Sequence, residues 1–227
     1  PAPGRDQPDH QPAPVEQTPT GTTATGDDAS SAQREPFRPA SQDDLAPPGA
    51  TAKLRANLDA LEIVRRCRDE DRVANPAEQA ALARWAGWGA IPQVFDDADD
   101  RFAAERAQIR QLLGTEEAWS QARRTTLNAH YTSASVVTAM WSAVRDLGVD
   151  GPVRVLEPGC GSGNFLGFAP PDAVLTGVEL DATTAAIARH LYGARATIHN
   201  GAFEDLRVED GAFDVVIGNV PFAKVTP

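Results

Sequence analysis

Cysteine is scarce, histidine is scattered and basic charge is short in this chain. The two cysteines, Cys67 and Cys160, stand in unlike contexts, and neither has a CxxC partner. The four histidines, at 10, 130, 190 and 199, lie far apart. These absences exclude a disulfide framework and a zinc-type ligand set, and they fit a reducing cytoplasm. The acidic stretch Asp96–Asp100 lacks the ligand spacing of a calcium loop, so no metal site is expected. No apolar run is long enough to cross a bilayer, and no signal peptide opens the chain, so no membrane partner is expected. The net charge is −11. Residues 1–50, 51–130 and 131–227 are each acidic overall. A nucleic-acid partner would therefore have to be held mostly by residues outside this chain.

What is present divides the chain in three. Residues 1–50 hold ten of the eighteen prolines and few large apolar groups. Such a segment cannot bury enough surface to offset its ordering entropy, and it reads as a disordered linker. A PxxP recognition segment, Pro36–Pro39, is the alternative. Residues 51–127 then follow a helical period. Thr51 is an expected N-cap, with Leu54, Leu58 and Leu61 on one face. The arginines at 65, 66, 68 and 72 are interrupted by acids and read as a solvated face. Asn75-Pro-Ala-Glu78 is the signature of a capped helix start, in a helix expected to carry Leu82 and Trp85. Trp85 and Trp88 fit core packing better than base stacking. Further helices are expected up to Gly114 and from Thr115 to about Leu127. Ser133 or Thr132 should cap the next one, with Val136, Val137, Met140, Trp141 and Val144 facing inward. At its start, Tyr131 and Thr132 either present donors to a carboxylate or serve as packing and cap.

From Val153 the chain alternates strand and helix, which means a parallel, doubly wound α/β sheet with helices on its faces. The strands are expected at 153–156, 173–180, 196–199 and 213–217. The first leads into Glu157-Pro-Gly-Cys-Gly-Ser-Gly-Asn-Phe165, where glycines at 159, 161 and 163 crowd into five residues. Such a turn between strand and helix lets a nucleotide-type cofactor approach the backbone. Glu179 ends the second strand, where an open α/β sheet places an acid for ribose hydroxyls. Glu157 could bond a cofactor amine or fix the turn. Phe203 follows the third strand and is either a stacking partner for an adenine ring or a core residue.

Asn219-Val-Pro-Phe222 follows the fourth strand. An exocyclic amine on a base is a poor nucleophile, because its lone pair is delocalised into the ring. The Asn219 side-chain oxygen and the Val220 carbonyl can each accept one of its N–H bonds and aim the lone pair at an electrophile. Phe222 can stack on a base flipped from a duplex.

HYTS, EPGCGSGNF, GVELD and GNVPF, in this order, resemble the amino-group DNA methyltransferases of the gamma-class order. GWGA, TTLNAHYTS and GNVPFAKV are similar to the methylase region of large methyltransferase–helicase proteins of bacterial phages and plasmids. The resemblance covers about residues 80–227. It implies a Rossmann-like methyltransferase domain over 128–227, S-adenosylmethionine as cofactor, transfer to N6 of adenine in DNA, a fused or associated helicase and a bacterial cytoplasm. It places Tyr131 and Thr132 at the methionine end of the cofactor. Glu157, Gly159, Cys160, Gly161, Gly163, Asn164 and Phe165 surround its centre, Glu179 takes its ribose and Phe203 its adenine. Asn219, Val220, Pro221 and Phe222 are given the target base.

Three departures accompany it. Val220 stands where the family has proline, and Ala202 where an acid commonly precedes the stacking aromatic. Pro1 in place of an initiator Met, and an end soon after the fourth strand, read as a piece of a longer chain, with a sheet incomplete at its C-terminal end. Two rivals stand beside this reading. One is methylation of RNA or of a protein glutamine. The other is a non-catalytic, methylase-like interaction module.

Overall fold

The computed structural model describes residues 36–127, 131–149 and 151–220. Pro221 and Phe222 lie outside them. Five helices come first: α1 (Ala50–Asp69), α2 (Pro76–Leu82), α3 (Ala103–Leu113), α4 (Glu116–Thr125) and α5 (Ala134–Asp146). Then strands β1 (Arg154–Pro158), β2 (Val174–Glu179), β3 (Ala196–Asn200) and β4 (Val215–Val216) alternate with α6 (Asn164–Gly167) and α7 (Ala182–Tyr192). The four strands are parallel, in the order β3-β2-β1-β4. The connection from β1 runs toward β2 and β3, and the chain then returns to β1's other side. The order therefore reverses between β1 and β4, and the crevice beyond their carboxyl ends is where such sheets bind ligands. The α/β expectation holds, with one shortfall. β4 pairs only Val215 and Val216 with β1, where five strand residues were expected.

Local chemistry sets the helix ends, and it corrects several expectations. Helix α1 starts after Gly49, so Thr51 lies inside the first turn and caps nothing. Its buried face carries Leu54 and Leu61, together with Asn57, Ala60, Ile63 and Cys67. Leu58 is only half-buried. Helix α2 has the expected capping box: Glu78 N–H donates to Asn75 Oδ1 at 3.0 Å, and Asn75 N–H to Glu78 Oε2 at 2.9 Å. It ends at Leu82, so Trp85 lies in the turn beyond it. Trp85 and Trp88 are buried core residues, packed edge to face at 5.5 Å.

The arginine run is more than a solvated face. Arg66 Nη2 lies 2.8 Å from Glu78 Oε1, and Arg72 Nη1 lies 2.6 Å from Glu78 Oε2. Glu78 is buried and carries both the cap and the two ion pairs. Val136 is another correction: it is 48% exposed, while Val137 and Trp141 form α5's buried face.

Residues 36–49, which fall in the segment expected to be disordered, are ordered. Leu45 is buried, Phe37 N–H donates to Leu191 O at 3.0 Å, and the Phe37 ring packs on Tyr192. A few apolar anchors suffice to tie down a proline-rich strap. That strap also supplies a cap. Ser133 makes no side-chain cap bond to the backbone of α5, its Oγ lying 3.1 Å from Ser135 Oγ, and Gln42 Oε1 accepts from Ala134 N–H at 2.9 Å instead.

The helices and the sheet pack against one another. Ala74 N–H donates to His190 Nδ1 at 3.3 Å, and Gln79 Nε2 donates to His190 O at 2.8 Å, which joins the α2 region to α7. No helix among the described residues is long and apolar enough to cross a membrane.

Glu78 generates a stability prediction. The Arg72 guanidinium beside it holds its carboxyl well below the usual 4.5. A depressed carboxyl contributes stability that is present above the unfolded value and lost as pH falls below about 4.5. Glu78→Gln should cost roughly 2 kcal/mol at neutral pH and flatten the acid limb of stability against pH, as followed by urea unfolding.

Candidate functional site

Strand β1 buries Val155, Leu156 and Glu157 in succession. A carboxylate at such a position needs partners. Burial pushes Glu157 well above the ordinary carboxylate range, although the backbone N–H groups of Leu166 and Phe165, in α6, favour its charged form. Glu157 Oε2 has no hydrogen-bond partner among the described residues.

The turn after Glu157 is closed by three bonds. Cys160 N–H donates to Val178 O at 2.9 Å, and Gly163 N–H donates to Cys160 O at 2.9 Å. Gly161 N–H donates to Glu179 Oε2 at 2.9 Å. Two of its glycines are demanded by space as well as by backbone. Gly161 has φ +56°, and a Cβ there would lie 2.9 Å from Tyr131 Cε1. Gly163 has φ +92°, and its Cβ would meet the Tyr192 ring at 2.7 Å.

Glu179 closes β2. Its Oε1 accepts from Asp181 N–H at 2.7 Å, and Asp181 in turn caps α7 by accepting from Thr184 N–H and Oγ1 at 2.8 and 2.7 Å. Burial raises the Glu179 carboxyl, and the N–H groups of Asp181 and Gly161 pull it back. Burial also raises the Tyr131 hydroxyl, with the Glu179 and Asp181 carboxylates adding to the effect. Tyr131 therefore serves as a neutral phenol, its ring laid against Gly161.

These elements surround a cavity of about 380 Å³, within the range of small-molecule sites. Tyr131, Thr132, Glu157, Gly159, Cys160, Gly161, Asn164, Phe165, Glu179 and Asn219 all line it, as the sequence places them. Asn164 Nδ2 donates to Thr132 O at 3.0 Å, which fixes the approach to α5 against the turn. Cys160 stands at the cavity by its backbone, since its Sγ packs where a Cβ on Gly177 would fall. Burial pushes its thiol well above the ordinary range, so it is no nucleophile.

Other expected residues are not brought together here. Gly163 supports the turn from behind and does not line the cavity. Phe203 is 48% exposed on a short 3₁₀ turn, away from the lining. Val220 is 46% exposed and also outside the lining. Sequence reasoning missed Leu180, Asp181 and Thr184, although GVELD and the cap spacing from Asp181 to Thr184 were signals for them. It also missed Gly87, Gln121, Arg124 and Thr125, which form a wall contributed by the helical region.

Strand order, glycine turn and the acid closing β2 define a Rossmann-like methyltransferase fold. Residues 155–227 match the model of the methyltransferase domain family, from the first residues of β1 onward. The Type II methyltransferase M.XamI of Xanthomonas campestris pv. amaranthicola is 33% identical over 105 residues, which is 42% of this chain and 20% of the relative. The chain thus spans about a fifth of the length of that curated relative. Among solved structures, a candidate RNA methyltransferase of Pyrococcus horikoshii is 19% identical over 43% of this chain and 51% of its own, with a TM-score of 0.37. The plantazolicin methyltransferase BpumL bound to SAH (S-adenosylhomocysteine) is 16% identical over 74% and 49%, with a TM-score of 0.32.

The expected cofactor is S-adenosylmethionine. The site suits it on chemical grounds: a buried carboxylate oxygen without a partner, two further carboxylates, and a glycine turn that a single Cβ would obstruct.

Gly163→Ala tests the turn. The strained φ and the contact with Tyr192 should lower stability by roughly 1–3 kcal/mol and weaken S-adenosylhomocysteine binding, read by thermal shift with and without ligand. A Gly163→Ala protein that melts and binds as the parent does would show that the turn tolerates a side chain.

Proposed function

We propose that this chain carries the cofactor site and the catalytic Asn of a methyltransferase acting on the exocyclic amine of adenine in DNA. The observation that carries the reading is the place of Asn219. It follows β4 and lines the same cavity as Glu157 and the glycine turn, across the point where the strand order reverses. The GNVPF motif and the identity to a Type II methyltransferase support it.

Each residue has a part in this reading. Glu157 receives the cofactor's ammonium group, since its second oxygen is unpartnered in the described structure. Glu179 spends one lone pair of each oxygen on backbone N–H groups and keeps the others for ribose hydroxyls. Tyr131 and Thr132 wall the methionine end. Bound there, S-adenosylmethionine supplies a methyl group made electrophilic by its sulfonium. Asn219 Oδ1 and the Val220 carbonyl accept the two N–H bonds of the adenine amine and orient its lone pair toward that methyl. The exposed Val220 side chain is immaterial, because only its carbonyl acts. The resemblance assigns Pro221 and Phe222 to the target base as well. The net charge of −11 assigns most phosphate contacts to residues outside this chain, and a helicase, fused or associated, is the expected companion.

Labelled methyl transfer tests this on the full-length gene product, with unmethylated DNA, RNA and protein offered as acceptors. Label should appear in DNA, as N6-methyladenine. Asn219→Ala should lower kcat about 10²–10³-fold with cofactor affinity little changed. Full transfer by Asn219→Ala would sink the mechanism. Cofactor binding with no label on any acceptor would identify a non-catalytic module.

A further inference from the structure

The charges around the cavity do not match one another. Glu157, Glu179 and Asp181 line it, and among the described residues that line it Arg124 is the one cation. S-adenosylmethionine brings two positive groups, the sulfonium and the ammonium, and one negative group, the α-carboxylate. The three acids suit the cationic groups and the ribose. They repel the carboxylate, which in a partly desolvated cleft needs a cation or several donors.

Helix α4 is built to supply one. Thr115 caps its start by accepting from Ala118 N–H at 3.1 Å. Trp119 and Ala122 form its buried face, and Trp119 packs on Phe95 with ring centroids 4.6 Å apart. That face fixes the rotation of the helix. Gln121, Arg124 and Thr125, spaced i, i+3 and i+4, then share the face that lines the cavity. Thr125 Oγ1 donates back to Ala122 O at 2.7 Å. Gln121 and Arg124 make no side-chain hydrogen bond or ion pair among the described residues. Soon after α4 the chain reaches Tyr131 and Thr132, the residues assigned to the methionine end. A cation in the last turn also complements the helix dipole, but the dipole does not require it to line a cavity.

We propose that Arg124, assisted by Gln121, receives the α-carboxylate of the bound cofactor. The helical region preceding the sheet then acts as a specificity wall, selecting adenosine ligands that carry the amino-acid arm. The inference rests on the cofactor reading above and not on the identity of the methyl acceptor.

Two ligands separate the possibilities. S-adenosylhomocysteine carries the amino-acid arm, and 5′-methylthioadenosine is the same nucleoside thioether without it. Calorimetric affinities are measured on the full-length protein and on Arg124→Ala and Arg124→Lys. Arg124→Ala should weaken S-adenosylhomocysteine about 10- to 100-fold, the effect of a lost charge-assisted bond, and leave 5′-methylthioadenosine unchanged. Arg124→Lys should restore part of the loss. Equal losses for both ligands would mean that Arg124 supports the fold, and would overturn the proposal. No loss for either would overturn it too, turning Arg124 toward the nucleic acid or solvent. If the parent protein binds neither ligand, the cofactor reading fails, and this inference fails with it.

Discussion

One hydrogen bond, from Gly161 N–H to the Glu179 carboxylate at 2.9 Å, holds the working end of this protein together. It ties the turn after β1 to the end of β2. The other Glu179 oxygen holds Asp181 N–H, and Asp181 caps α7. A single side chain thus sets the shape of the glycine turn, the start of a helix and one wall of the cavity. The backbone of that turn visits the left-handed region repeatedly, which glycine adopts freely, so the surroundings must select this conformation among the many open to it. Here the surroundings are this bond, the Cys160 and Gly163 bonds, and two tyrosine rings that leave no room for a Cβ.

The rest of the chain acts as support for that end. Residues 36–49 run over the domain as a strap, and through Gln42 they cap α5, whose start carries Tyr131 and Thr132. Helices α1 and α2 are locked by Glu78 between Arg66 and Arg72, and they grip α7 through His190. Burial lowers the His190 pKa, which keeps the ring neutral and its Nδ1 available as an acceptor. Helix α4 then contributes Gln121, Arg124 and Thr125 to the lining of the cavity. Removing the helical region would accordingly remove a wall of the site, and not merely an appendage.

Local pattern was legible, and single long-range bonds were not. Strand–helix alternation, the glycine spacing and the Asn75–Glu78 cap each involve residues close in sequence, and each appears where expected. Most of the cavity lining follows from the same motifs. The cap on α5 comes instead from Gln42, 92 residues away. One polar residue in a proline-rich segment carries no periodic signature. The polar face of α4 gives no sequence signal that it lines a cavity, since hydropathy cannot tell solvent from a hydrated cleft. Val136 misled because a run of apolar residues on a short helix exceeds what one face can bury. Phe203 stays exposed rather than in the core because an aromatic after a strand has no local partner to hold it inward.

The account turns on Glu157, a buried acid whose second oxygen awaits a cation. In the free protein, burial holds its carboxyl well above the usual range, which favours the protonated form at mildly acidic pH. A cationic amine bound beside it favours the ionised form, and the proton must leave. The most direct measurement is calorimetry of S-adenosylmethionine binding at that pH, in buffers of different ionisation enthalpy. The account predicts net proton release on binding that largely disappears in Glu157→Gln, together with a loss of affinity. Binding without proton release, or unchanged affinity in Glu157→Gln, would contradict it.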